Sequence, residues 1–376
     1  MSPKSVALVW QQHAPYHVDR LEALAERLGS PWRVVGVQVA PASGTYAWPP
    51  VDPGSGYTPI TLFPGDADRV RGIGRLLALW RATRGCAHVF LCHYERPTTW
   101  LLAVALRVAG RGVWLMFDST HADAPRRMWR EWLKWAALAP YHGALVSGDA
   151  SRRYLRGLGM RTRPITTGYD TLSVLRVRRE AGAPPGPDGI PHAERVFLIV
   201  ARCVPKKNLE TALDAYAEYA ARAHAAEREP RPLWLCGDGP ERPRLEQRAA
   251  ALGLRRMRFL GFRQPAEVAR RLAQALALLL PSRSEPWGLV VNEAFAMGVP
   301  ALVSTAAGCA RDLVRDGANG AVMAPDASEA WAAEMTRLDR DDGHWRRLAA
   351  GARDSAENGD VRHFAEGATR LMDGAP

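Results

Sequence analysis

No apolar run in this 376-residue chain reaches the roughly 20 residues a membrane-spanning helix needs, and its opening, MSPKSVALVW, shows no cleavable signal pattern. The protein is therefore expected to stay in the cytosol. Cysteine is scarce as well. The five present, Cys86, Cys92, Cys203, Cys236 and Cys309, are widely spread and include no C-x-x-C pair. With no histidine spacing suited to zinc, this argues against a disulfide framework and against structural zinc, and the thiols read as reduced and mostly buried. Basic blocks interleaved with aromatics are missing, as is any nucleic-acid motif, so DNA or RNA is not an expected partner. No internal repeat appears. What is present suits a soluble globular protein, 47% hydrophobic and 24% charged. Fifty Lys and Arg against 39 Asp and Glu leave a formal charge of +11, which favours polyanionic partners such as nucleotide diphosphates or anionic lipid headgroups.

The length leaves room for two domains, each with its own core. Short β-rich runs alternate with helical patterns: strands at 6–10, 32–39, 89–92, 113–117 and 143–147 with helices at 19–28, 69–83, 98–109 and 150–158, then strands at 196–201, 233–236, 257–260, 275–280, 301–304 and 321–323 with further helices between and after them. That alternation predicts an α/β fold of two doubly wound parallel sheets. The first domain is expected over 1–170 and a Pro- and Gly-rich linker over 171–194. The second domain follows at 195–355, and 356–376 forms a closing helix. Residues 41–64 read as a long surface excursion.

The most informative stretch is 281–300, PSRSEPWGLVVNEAFAMGVP. A buried strand hands over to a helix through a tight loop. Gly288 lets backbone approach a ligand, and the N–H groups near Gly288, Leu289 and Val290 lie at a helix start, where phosphate is stabilised. Glu285 precedes the helix and Glu293 lies in its second turn. In the loop after 196–201, Arg202 and Lys207 converge beside another helix start, for which Asn208 is the expected cap, and suit a diphosphate. Together Glu285, Pro286, Gly288, Glu293, Ala294, Gly298 and Pro300 resemble the E-x7-E segment of the retaining family 4 glycosyltransferases, and Arg202 with Lys207 resembles that family's Arg-x4-Lys pair.

The resemblance implies the GT-B architecture, two Rossmann-like domains facing across a cleft, with an acceptor-binding first domain, a nucleotide-sugar-binding second one, and the closing helix of 356–376 crossing back to the first. It implies transfer of a hexosyl group from a UDP- or GDP-sugar to a hydroxyl of a glycan, lipid-linked or small-molecule acceptor, with retention at the anomeric carbon. In that family the first glutamate, here Glu285, meets the donor sugar and the second, here Glu293, binds the ribose. Gly237 in GDGPE would lie near the nucleotide, although turn chemistry explains that run equally well. Phe262 and Arg263 follow the strand whose loop would hold the base. Arg202, Lys207 and the amides take over what a metal does elsewhere, so no metal and no cofactor is expected. A nucleotide-sugar epimerase, a glycosyl phosphorylase or an inactive binding paralogue on the same architecture are the alternatives.

The first half is less specific. Its first loop, QQHAPYH at 11–17, has none of the glycines that family commonly places there; His13, Tyr16 and His17 either face an acceptor or are surface bystanders. His93 and Glu95 follow one strand, and Asp118 and His121 another, at the carboxyl ends where open α/β sheets bind ligands. The family commonly has a histidine directly after the latter strand, a place held here by Asp118. Asp66-Ala67-Asp68 fits a D-x-D metal signature but reads better as helix capping. In the helix 126–139, Arg126, Arg127, Arg130 and Lys134 oppose Met128, Trp129, Trp132, Leu133, Trp135 and Ala136, which suits either a peripheral membrane contact or packing on the protein's own sheet.

Overall fold

The computed structural model describes residues 4–44, 48, 50–121 and 128–374. The chain divides into two compact units, Met1–Ser173 with Asp360–Pro376, and Val174–Gly359.

Among its described residues unit 1 is built on seven parallel strands: β1 (Ser5–Trp10), β2 (Arg33–Gln38), β3 (Thr58–Thr61), β4 (His88–Leu91), β5 (Gly112–Phe117), β6 (Gly143–Val146) and β7 (Ile165–Thr167), in the order β3-β2-β1-β4-β5-β6-β7. Its central strands are covered on both faces and so read as unbroken apolar runs. Alternate residues still go to opposite sides. Ala7 and Val9 join one core with Val89, Leu91 and Leu102, while Val6, Leu8 and Trp10 join the other with Phe90, Trp114 and Met116. The chain's last helix, Arg362–Asp373, completes this second core with Phe364, Ala365, Ala368 and Leu371, which recur on one helical face. A buried guanidinium ties the parts together. Arg20, 1% exposed, donates to Asp170 at 3.3 Å and to the Thr171 carbonyl at 3.0 Å, between the rings of Tyr16 and Tyr169.

Unit 2 has six parallel strands: β8 (Val196–Val200), β9 (Leu233–Cys236), β10 (Met257–Gly261), β11 (Ala275–Leu280), β12 (Ala301–Ser304) and β13 (Gly320–Met323), in the order β10-β9-β8-β11-β12-β13. Phe197, Ile199, Leu235 and Leu279 from the sheet pack with Leu213, Tyr216, Trp331 and Trp345 from the helices. Both tryptophans are fully buried, and their indole N–H groups donate to the carbonyls of Ala324 and Leu276 at 3.0 Å. Satisfied in this way, each large aromatic stabilises the core by about 4–6 kcal/mol, taking 150–250 Å² at 25 cal/mol per Å².

The two-unit parallel α/β class expected from the alternating pattern is what the chain forms. Several local expectations change. The helix expected from 69 is Gly72–Thr83, so Asp66 and Asp68 do not cap it. Instead Asp66 Oδ1 accepts the Asp68 N–H at 2.8 Å, and Asp68 pairs with Arg96 at 3.0 Å and accepts from Ser43. Within 41–64 lies the edge strand β3, and within 171–194 the helix Val174–Ala181. The amphipathic helix is Met128–Ala137; Arg126 and Arg127 lie outside the described residues. Among the described residues all five cysteines are free and buried, and no helix is long and apolar enough to cross a membrane.

Candidate functional site

In each sheet the strand order reverses once, between β1 and β4 in unit 1 and between β8 and β11 in unit 2. Loops leaving neighbouring strands at such a point run to opposite faces and open a crevice at the carboxyl ends, the usual ligand position in open α/β sheets.

In unit 2 the loop after β8 carries Arg202, then a short turn, Pro205–Lys207, and enters the helix Leu209–Ala225 through Asn208. Asn208 has φ 52° and holds the N-cap position, but its side chain makes no cap. Its amide donates instead to the carbonyls of Pro281 and Pro325 at 3.1 and 2.8 Å, which fastens this loop to the one after β11. A backbone bond from Arg283 N to Lys206 O at 2.9 Å joins the same two loops. The Lys207 ammonium is thereby held against the Glu285 carboxylate, with which it forms an ion pair; the two side chains are only 13% and 11% exposed. Ser282 Oγ lies 3.5 Å from the same carboxylate oxygen, and Glu285 O accepts from Gly308 N at 2.9 Å.

Gly288 then turns the chain into the helix Leu289–Ala296 with φ 106°. A Cβ there would lie 2.9 Å from Leu280 Cδ2 and 3.2 Å from Cys309 Sγ, so both conformation and space call for glycine. The amides of Leu289 and Val290 precede the first intrahelical donor, Val291 N, which bonds the Gly288 carbonyl at 2.9 Å, and stay available to an anion. Glu293 lies on the next turn, half-buried. Beneath, Trp287 donates to Asn292 at 3.1 Å, and Asn292 donates to the Gly359 carbonyl at 3.2 Å, fixing the helix start. Burial, with Glu285 adding to it, pushes the Cys309 thiol far above its ordinary range, so it packs as a neutral group.

Gly237, with φ 151°, closes β9 so tightly that a Cβ would sit 1.8 Å from the Ala201 carbonyl oxygen. Its N–H donates to Gly261 O at 2.8 Å, joining the ends of β9 and β10, where Phe262 is 42% exposed and Arg263 pairs with Glu267 at 3.1 Å. Thus every unit 2 candidate stands at the carboxyl ends of β8 to β11 or on the helix that follows.

The unit 1 candidates follow β1, β4 and β5. His13 and His17 are not surface groups, being 5% and 8% exposed. Burial drives His13 down to about 4 and His17 well below the usual imidazole range. His17 has a structural task. Its Nδ1 accepts the N–H of the N-cap residue Ala14 at 2.9 Å, the part a glutamate at the third helical position usually plays, here for the helix Pro15–Leu28, and its ring stacks on Trp10 at 4.6 Å. Tyr16 packs its ring against Arg20 and edge-on against Trp48. His13 differs: its backbone N–H donates to Gln38, yet its Nε2 is buried with no partner among the described residues, as are the side-chain oxygens of Gln11 and Gln12. Gln11 and Gln12 carry no motif; only their place directly after β1 flags them.

His93, at φ 59°, pairs with Glu95 at 3.2 Å. The neighbouring Cys92 sulfur, then Glu95, raise the His93 pKa; burial pushes the Glu95 carboxyl up, but the hydrogen bond and charge of His93, its own backbone N–H and Arg96 together outweigh burial and keep it low. Asp118 is exposed at the end of β5, and its carbonyl accepts from Ser151 at 3.0 Å. His121 stacks on Tyr154, centroids 6.2 Å apart.

These features define the class first: two parallel-sheet α/β units, each with one strand-order reversal, the GT-B fold. Among solved structures, sucrose-phosphate synthase from Thermosynechococcus elongatus superimposes with a TM-score of 0.72 at 19% identity, covering 98% of both chains. Anabaena Alr3699/HepE in complex with UDP and glucose gives 0.72 at 16% identity, covering 98% of this chain and 99% of that one. More particularly, residues 185–355, a little under half of the chain, match the family described as glycosyl transferases group 1. The D-inositol 3-phosphate glycosyltransferase of a Nocardioides species is 34% identical over 188 residues, 47% of this chain and 41% of that protein. The alpha-D-kanosaminyltransferase of Streptomyces kanamyceticus is 31% identical over 144 residues, 38% of this chain and 36% of that protein. The matched region spans less than half the length of these curated relatives.

Proposed function

We propose that this protein is a retaining glycosyltransferase that moves a hexosyl group from a UDP- or GDP-sugar to a hydroxyl of a glycan, lipid-linked or small-molecule acceptor. The observation that carries this reading is the Lys207–Glu285 pair where β8 and β11 diverge, beside the start of the helix Leu289–Ala296 and inside the region matched to group 1 glycosyl transferases.

The chemistry asked of the site is separation of charge. As the anomeric C–O bond breaks, its electron pair passes to the departing diphosphate and positive charge develops on the sugar. The acceptor oxygen then bonds to the anomeric carbon on the face the diphosphate leaves, and its proton passes to a phosphate oxygen. Arg202, Lys207 and the amides of Gly288, Leu289 and Val290 stabilise the diphosphate as its charge grows. Glu285 orients the donor sugar and Glu293 the ribose hydroxyls, while Gly237, Phe262 and Arg263 flank the base. Orientation is their contribution rather than proton transfer. On this reading no cation or cofactor is required, since the cationic side chains already carry the neutralising charge. Asp118, His121, His93, Glu95 and His13 are the residues offered to the acceptor. Trp132, Leu133 and Trp135 on the helix Met128–Ala137 are 73%, 61% and 63% exposed, which supports peripheral contact with the inner face of a membrane from the cytosol.

The test is a thermal-shift panel of UDP, GDP, ADP and their sugars, followed by assay of nucleotide release with and without EDTA. One nucleotide is expected to raise the melting temperature by mass action, and its sugar to be turned over regardless of chelator. If no nucleotide shifts the melt, the reading fails. Turnover without any acceptor, or only with inorganic phosphate, would replace it by an epimerase or a phosphorylase.

A further inference from the structure

Unit 1 holds a second polar cavity at the other end of its sheet. At the amino ends of β4, β5 and β6 a space of about 320 Å³ opens between Ala87, His88, Arg107, Arg111, Gly112 and His142. That is near the lower limit of the roughly 300–1,000 Å³ typical of small-molecule sites. The length of a strand, roughly 13–20 Å, separates it from the carboxyl ends where the other candidates stand.

Its lining is made of donors. No carboxylate lines it, so among the described residues the lining itself offers Arg107 and Arg111 no acidic partner. Arg111 Nε is buried with no hydrogen-bond partner among the described residues. Both imidazoles are turned the same way. His88 Nδ1 accepts from Trp114 Nε1 at 3.3 Å and His142 Nδ1 from Val113 N at 3.0 Å, which leaves the proton of each neutral ring on Nε2. Burial, then mutual repulsion and Lys4 for His88, and burial, then Arg107 for His142, lower both pKa values. Asp373 opposes this at His88, and Arg163 adds to it at His142. The helix Pro97–Val108 ends here, and its carbonyl end disfavours an anion. The carbonyls of Ala105, Leu106 and Arg107, however, are already taken by the N–H groups of Ala109, Arg111 and Gly110 at 3.0 Å. A surplus of unpaired positive charge remains, and a dianion would relieve it.

We propose that this cavity is a phosphate-binding site, separate from the nucleotide crevice, that takes a phosphate ester through Arg107 and Arg111 with the Nε2–H groups of His88 and His142 assisting. Planar guanidinium groups engage phosphate oxygens in pairs, which suits an ester better than a carboxylate of single charge.

The full-length protein is titrated with glycerol 3-phosphate while the ring Cε1–H signals of His88 and His142 are followed by NMR, assigned with His88→Gln and His142→Gln. Both signals should move, and both imidazoles should titrate at higher pH when the ester is bound. Arg107→Ala with Arg111→Ala should weaken binding about tenfold or more, since charge-assisted hydrogen bonds are lost. Lys207→Ala should leave these shifts unchanged, and Arg107→Lys with Arg111→Lys, which keeps the charge, should retain part of the affinity and guards against a folding defect. Flotation with phosphatidylglycerol vesicles, absent with phosphatidylcholine alone and lost in the double alanine variant, identifies a lipid headgroup as the source. Glycerol phosphate binding without flotation identifies a soluble ester. Silent histidine signals, or equal affinity in the double alanine variant, overturn the proposal.

Discussion

Replacing Lys207 with alanine tests the central claim, because the same ammonium is assigned a resting partner and a task in the reaction. At rest it neutralises Glu285 in a setting where the two side chains are 13% and 11% exposed. Removing it strands a carboxylate; for a pair this shielded the loss should be about 2–4 kcal/mol, slightly below the 3–5 kcal/mol of a fully buried pair. At about 2–4 °C per kcal/mol for a unit of this size, the melting temperature should fall about 4–16 °C. During turnover the loss is different in kind. One preorganised donor to a developing anion contributes about 10²–10³ in kcat, and an unpaired Glu285 beside the diphosphate adds repulsion.

A second substitution separates the two effects. With Glu285→Gln added, the stranded charge disappears, so the double variant should recover most of the lost stability, with a coupling of about 1–3 kcal/mol. It should not recover kcat, because the leaving group still lacks its cation. Melting temperature and nucleotide release, measured on the four proteins of the cycle, decide the matter. If the double variant regains wild-type turnover together with stability, Lys207 is only a structural partner of Glu285 and the diphosphate assignment must be given up.

Other outcomes follow from single features. Gly288→Ala forces a side chain into φ 106° and to within 2.9 Å of Leu280, and should cost about 1–3 kcal/mol of stability and weaken nucleotide binding; an unchanged Kd by calorimetry would count against the helix start as a phosphate site. Glu293→Ala should weaken nucleotide affinity about tenfold with a smaller change in kcat, and the reverse pattern would refute its ribose role. His13 is held neutral down to about pH 4, below its unfolded value of about 6.5. The unfolded chain therefore binds the proton first, and this histidine's contribution is present above pH 6.5 and lost as pH falls toward 4, about 3 kcal/mol in all. His13→Gln should flatten the acid limb of the stability curve, and superimposable curves would contradict the burial argument. Trp132→Ala should reduce liposome flotation without altering the melting temperature, since its side chain is 73% exposed; undiminished flotation would discard the membrane contact.

The alternation of strands and helices was legible because parallel strands covered on both faces are nearly continuous apolar runs, such as ALALLL in β11. The loop residues at 202–208 and 281–293 were legible because they lie locally together, each set on one strand-to-helix turn. What escaped depends on packing between distant segments. Nothing near His17 shows that it will cap its own helix and stack under Trp10. Asp66 and Asp68 look like helix-starting residues until Arg96 and Ser43 arrive from other elements to engage Asp68. Asn208 occupies the expected position but spends its amide on Pro281 and Pro325. The amino-end cavity gathers His88, Arg107 and His142 from three separate connections, so no window of sequence contains it.

Because Arg362–Asp373 supplies a wall of the second core of unit 1, that unit is assembled from two separate stretches of chain, with Val174–Gly359 inserted between them. A ribosome making this protein therefore completes the middle first. Val174–Gly359 has all of its strands and helices while the beginning of the polypeptide still waits for Phe364 and Leu371, with Trp114 and Met116 uncovered on that side. Chaperone capture during synthesis should accordingly fall on the strands and helices of residues 5–173, and ease only once Arg362–Asp373 has emerged.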